Sequence, residues 1–212
     1  MSREVLEEKG KCPYKSFREF DRKLITVTSK NKVFDNYGIS KLENPFIGYF
    51  FVDKEDGVCI RIVGNENNPD LIKKLITEET IIINCDNFDN LEFSIFEEEI
   101  ETYDLETQMD EFYNDKELLE LRELKEVDNL RGIYYPDDLL LTLEFEDGED
   151  EYIWGKLDGY IAEVDKYVVY LLESSKFDFE INSGEYAICK YIKQEKKEEL
   201  IIQGILERVE ED

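Results

Sequence analysis

The run LLLTLEFEDGEDEYIW, Leu139–Trp154, decides how the C-terminal part of the chain folds. Leu139, Leu141, Leu143 and Phe145 alternate with Thr142, Glu144 and Glu146, the two-residue period of a strand with one apolar face. Asp147–Gly148 follows, a dipeptide suited to a tight hairpin turn, and the chain returns through Tyr152 and Trp154. Six acids surround the one glycine: Glu144, Glu146, Asp147, Glu149, Asp150 and Glu151. The expected product is a hairpin whose carboxylates stand beside Tyr and Trp side chains.

Downstream of that hairpin a meander is expected. Strands near GYIAEV and YVVYLLE join through VDK, and FDFEINSGEYAICKYI contains a further turn at Asn182–Gly184. In the tail, Gly204 weakens a helix, while Leu200, Ile202 and Leu206 permit a strand. The run INSGEYAICKY is similar to the Ile-x-x-Gly-x-Tyr-Ala pattern that begins a strand in GyrI-like ligand-binding domains of multidrug-sensing regulators. That likeness covers only this short run, and no fold, ligand or site residue is taken from it.

Upstream, the pattern is mixed. KLITVTS has strand character, and GYFFV–DKEDG–VCIRIVG reads as two β-rich runs around an Asp-Gly turn. Asn68 and Pro69 suit the N-cap and first position of a short helix, DLIKKLI. TIIIN reads as a buried strand, and LEFSIFEEEIE sets Leu91, Phe93 and Ile95 on one face. From Leu105 the period becomes helical through Met109 and Phe112. Asn114 or Asp115 is placed to cap a second helix, KELLELRELKEV. Its leucines (Leu118, Leu119, Leu121 and Leu124) spread around the axis, as expected of a helix packed between two layers. The fold class is therefore α+β, with two β-rich lobes around a central acidic helical segment. The boundaries are 1–103 for a mixed N-terminal lobe, 104–130 for the acidic helical connector and 131–212 for a β-rich C-terminal lobe.

Charge is distributed unevenly. The whole chain of 212 residues carries a net charge of −27. Residues 1–33 hold nine basic and five acidic side chains, a local +4, whereas residues 97–151 hold twenty-two acidic and four basic ones, a local −18. Such a chain repels phosphate backbones and anionic lipid, because binding either requires Lys or Arg to displace counterions. Direct nucleic-acid and membrane partners are thus excluded as expectations, and a basic protein surface is favoured. With 27 aromatic residues there is ample material for a core.

Residue types narrow the chemistry further. The chain contains no histidine, which removes imidazole bases, Ser–His and Cys–His systems and imidazole-bound zinc. The four cysteines form no CxxC pair, and with no secretory leader or membrane-length apolar run a reducing cytoplasmic setting is expected. Asp53–Gly57 and Asp86–Glu97 miss the register of a calcium loop, and adjacent acids on a strand point to opposite faces, so no metal site is expected. No GxxxxGK[ST] or GxGxxG occurs, and no cofactor is expected.

The expectation for function is a non-enzymatic, acidic inhibitor that occupies the basic, nucleic-acid-binding surface of a target by phosphate mimicry, in the manner of anti-restriction and anti-CRISPR proteins. Two alternatives stand beside it: an immunity protein that neutralises a basic toxin, and a small-molecule or cation-binding module. The partner-binding residues expected are Glu97, Glu98, Glu99, Glu101, Glu144, Glu146, Asp147, Glu149, Asp150 and Glu151, with Tyr152 and Trp154 as aromatic anchors. The partner would be a nuclease, a CRISPR effector or a toxin.

Overall fold

A computed structural model describes residues 12–29, 45–65, 81–97, 103–113, 116–145, 149–178, 180–195 and 197–206. The expected helix at 69–76, the caps at Asn114 and Asp115 and the turn dipeptide Asp147–Gly148 lie outside those residues. The chain is mixed, with two β-sheets and short helices, and it divides into two compact units. One unit comprises Leu6–Asn114 with Ile133–Tyr135, the other Asp115–Gly132 with Pro136–Asp212.

The first unit is built on an open five-stranded sheet. Its strands are β1 (Lys23–Ser29), β2 (Phe46–Asp53), β3 (Gly57–Asn65), β4 (Ile82–Asn84) and β5 (Leu91–Ile95), in the order β4-β3-β2-β1-β5. FIGYFFVD is apolar at nearly every position, so neither face of β2 can be left wet; every residue of that strand is buried. One face packs with Tyr14, Phe17, Phe20 and Phe88 around Phe50. The other sets Tyr49 and Phe51 against Met109 of helix α1 (Tyr103–Tyr113). The β2–β3 turn is held by Asp53, whose Oδ1 accepts the amides of Glu55 and Asp56, both at 2.7 Å. Ile133–Tyr135 joins this unit through two hydrogen bonds. The Val58 amide donates to the Tyr134 carbonyl at 2.8 Å, and the Tyr14 hydroxyl donates to the Ile133 carbonyl at 3.0 Å.

The second unit is a closed barrel. Helix α2 (Lys116–Arg122) and a 3-10 turn (Lys125–Leu130) precede β6 (Asp138–Leu143), β7 (Glu151–Ile161), β8 (Lys166–Leu171), β9 (Tyr186–Gln194) and β10 (Lys197–Leu206). The ring order is β10-β6-β7-β8-β9. Five strands that alternate in direction place the first and last parallel, and β10 meets β6 in parallel at Ile201 and Thr142. Leu139, Leu141, Ile153, Leu157, Val169, Leu171, Ala187, Cys189 and Leu200 fill the interior, together with Val127 and Leu130 of the 3-10 turn. Gly155 also faces inward; a Cβ there would press into Val169 and Leu141, so the interior admits only hydrogen at that point. Irregular registers at Leu157/Gly159 and Ile202/Gly204 supply the bends a small barrel needs.

Three local expectations change. β7 is one strand of eleven residues, so the separate strand expected at GYIAEV is its continuation, with Asp158 absorbed in the register shift and the chain turning only after Ile161. The α-helix expected over KELLELRELKEV stops at Arg122. At this helix end the Leu121 carbonyl accepts the Leu124 amide at 3.3 Å, and Arg131 Nη2 caps the carbonyls of Leu121 at 2.9 Å and Leu124 at 3.3 Å. Leu118, Leu119, Leu121 and Leu124 are only half-buried, and the buried side chain of α2 is Arg122. On β5, Leu91 is buried but Ile95 is 43% exposed at the strand end.

Candidate interaction surface

Alternation along β7 sorts the hairpin's side chains into two sets. Glu151, Ile153, Gly155 and Leu157 point inward and are buried, while Tyr152, Trp154 and Lys156 point outward. The register across the barrel then fixes their neighbours: Tyr152 stands opposite Thr142, Trp154 opposite Leu140 and Lys156 opposite Asp138. On the far side of β7, Lys156 is opposite Tyr170, and the Leu172 amide donates to the Trp154 carbonyl at 3.0 Å. Tyr170 is opposite Tyr186, which is opposite Leu206. The outer wall therefore carries a band of Leu140, Tyr152, Trp154, Tyr170, Leu172 and Tyr186. Tyr152 is 42% exposed and Leu172 38%, so much of this apolar area faces solvent.

The acids at the top of the wall divide by environment. Glu144 and Glu149 are exposed. Asp150 is half-buried and paired with Lys197 at 3.2 Å, and the same ammonium holds Glu199 at 2.6 Å. Glu199 is itself buried and accepts from the Thr142 hydroxyl at 3.3 Å. These contacts push the Lys197 ammonium's pKa up, first through its hydrogen bond to Glu199. Glu151 is buried: its carboxylate accepts the Ser175 hydroxyl at 2.6 Å and the Lys176 amide at 2.9 Å. It thus fixes the loop after β8, where Phe177 meets Phe145 edge-on at 6.0 Å and remains 70% exposed. Trp154 is half-buried, and its amide donates to Glu173 at 3.1 Å. Glu97, in the other unit, is exposed. Glu98, Glu99, Glu101, Glu146 and Asp147 lie outside the described residues.

Lower on the wall, burial raises the Asp138 carboxyl to about 6, a shift that the Lys156 ammonium opposes and the neighbouring Asp137 carboxylate adds to. Asp137 is bound by Arg122 through two hydrogen bonds, Nε to Oδ1 at 2.8 Å and Nη2 to Oδ2 at 2.6 Å. All four cysteine thiols are free, and burial pushes Cys59 and Cys189 up to about 12. Among the described residues no group of three or more Cys, Asp or Glu side chains is arranged to hold a metal ion, and no helix is long and apolar enough to cross a membrane.

Tyr170, Leu172 and Tyr186 were not singled out by sequence reasoning, although a signal was present. In YVVYLLE both alternating sets are apolar, Tyr167/Val169/Leu171 and Val168/Tyr170/Leu172. A strand whose outer side meets only water normally shows polar residues there.

Geometry thus defines a class, a mixed chain with an open sheet and a closed five-stranded barrel bearing an acid-rimmed aromatic wall. In comparisons with protein-family models, curated proteins and solved structures, the chain matches none.

Proposed function

We propose that this chain is a non-enzymatic interaction protein of the cytoplasm that occupies a basic, nucleic-acid-binding surface on a target protein. In this reading two β-rich lobes flank an acidic helical connector, and the 144–150 segment supplies the carboxylates that stand in for phosphates. One observation carries it: exposed Tyr152 and half-buried Trp154 share one outer wall directly below exposed Glu144 and Glu149. Aromatic anchors beside exposed surface charge are the composition of a binding patch, with apolar area for affinity and charge for selection and encounter rate. A solvated turn would require the acids but not the aromatic band.

The same surface would serve an immunity protein against a basic toxin; the identity of the partner separates the two. Phosphate mimicry is tested by competition. Duplex DNA added to the complex should displace the chain from its partner in proportion to DNA concentration, whereas undiminished binding in saturating DNA excludes a shared site. Glu144→Lys with Glu149→Lys should lower the association rate at low salt by about tenfold, because steering depends on these exposed charges.

A further inference from the structure

One outward row crosses the whole barrel: Asp138, Lys156, Tyr170, Tyr186 and Leu206, one residue from each strand. In it the rings of Tyr170 and Tyr186 meet at a centroid distance of 5.3 Å with 63° between their planes. Next to this pair lies a half-open hollow of about 560 Å³ lined by the turn Asn182–Tyr186 and by Ile205 and Leu206.

The hollow is held open by the backbone. Gly184 has φ of 88°, where a side chain would be strained. The loop around it is fixed at several points: the Gly184 amide donates to the Leu171 carbonyl at 2.8 Å, the Leu171 amide to the Glu185 carbonyl at 2.8 Å, and the Asn182 amide to Glu185 Oε2 at 2.9 Å.

We propose that this hollow receives one cationic side chain, an arginine or a lysine, of a basic protein partner. The proposal rests on the reading given under Proposed function and names the chemistry its partner must present. Tyr186, the aromatic side chain of the lining, attracts a cation through its ring quadrupole, Ile205 and Leu206 cover an aliphatic stem, and Glu185 supplies a carboxylate at the rim. A chain of net charge −27 adds a long-range field of the right sign. A neutral polar side chain would gain neither the cation–π attraction nor that field, and an anion would be repelled by both.

The test uses the whole chain and acetyl-Gly-Arg-Gly amide, with the citrulline peptide as a neutral near-isostere. Binding is followed by the backbone amide shifts of Ser183–Tyr186. The arginine peptide should give saturable shifts there and bind at least about fivefold more tightly than the citrulline peptide. Tyr186→Leu should weaken it about fivefold or more, Tyr186→Phe should stay within about twofold, and Glu185→Gln, which keeps an acceptor for the Asn182 amide, should fall between them. No saturable shift at 183–186, or equal binding of both peptides, overturns the proposal. A salt-sensitive basic partner whose affinity Tyr186→Leu leaves unchanged would remove the hollow's role while the hairpin reading stands. Saturation by the arginine peptide with no basic partner retained would sink the hairpin reading and leave the hollow as a cation site.

Discussion

Arg122 and Asp137 form a two-point ion pair, 2.8 and 2.6 Å, with side chains only 4% and 6% exposed. It ties the end of α2 to the residue before β6. The pair is held in register by Leu157, whose amide donates to the Asp137 carbonyl at 2.8 Å. Removing one partner strands a buried charge. Arg122→Ala should therefore destabilise the barrel unit by about 3–5 kcal/mol in urea unfolding. Arg122→Met with Asp137→Leu should recover most of that loss, since neither charge then stays buried alone.

Glu151 is expected to act on loop order. Its carboxylate fixes Ser175 and Lys176, and Ser175 Oγ in turn accepts the amides of Phe177 at 3.1 Å and Asp178 at 2.8 Å. Glu151→Ala should speed hydrogen exchange at the Lys176 and Asp178 amides by about tenfold while barrel-interior amides such as Leu141 and Val169 keep their protection. Uniform loss of protection would mean that Glu151 supports the whole barrel.

Asp138 sets a pH dependence. A carboxyl raised from 3.8 to about 6 in the folded chain binds its proton more tightly there than in the unfolded chain. Stability contributed by the protonated form is thus lost as pH rises from about 4 to about 6 and is level above that. Asp138→Asn should flatten this part of the stability curve and gain about 1–2 kcal/mol at pH 7. This is below the full conversion of the shift because the group is only partly buried and faces Lys156. Urea midpoints measured at pH 4, 5, 6 and 7 for both proteins check it.

Tyr152 separates binding from stability. The residue is 42% exposed on the outer wall, so Tyr152→Ser should change unfolding free energy by no more than about 0.5 kcal/mol. Affinity for a partner gripped at this wall should fall at least about tenfold, as for a central aromatic anchor. Calorimetry of both quantities on one preparation decides whether the residue is retained for contact or for packing.

Several elements were legible because their signals are local. The alternation of Leu139, Leu141 and Leu143 against Thr142 and Glu144 specifies β6 wherever its partners lie. Asp53–Gly57 specifies the β2–β3 turn through a side-chain acceptor and a positive φ at Gly57. Barrel closure was not legible, because Thr142 and Ile201 meet across 59 residues of sequence and nothing local announces that contact. The early end of α2 was hidden for a similar reason: helix-favouring residues run on to Val127, and the side chain that caps the carbonyls of Leu121 and Leu124 is Arg131, beyond the segment. At the candidate site, composition revealed the acids but not their fates. Glu144 and Glu149 face water, Asp150 is matched by Lys197, and Glu151 holds the loop after β8.

The central claim is that Glu144 and Glu149 guide, and the aromatic wall holds, a basic protein surface. Its most direct test is capture from bacterial lysate by the tagged chain and by its Glu144→Lys/Glu149→Lys variant, washed at rising salt, with both eluates identified by mass spectrometry. The account predicts one basic nucleic-acid-binding protein or toxin that the wild type retains at low salt and releases as salt rises, and that the variant fails to retain. The same proteins in both eluates, or no basic protein in either, would contradict it.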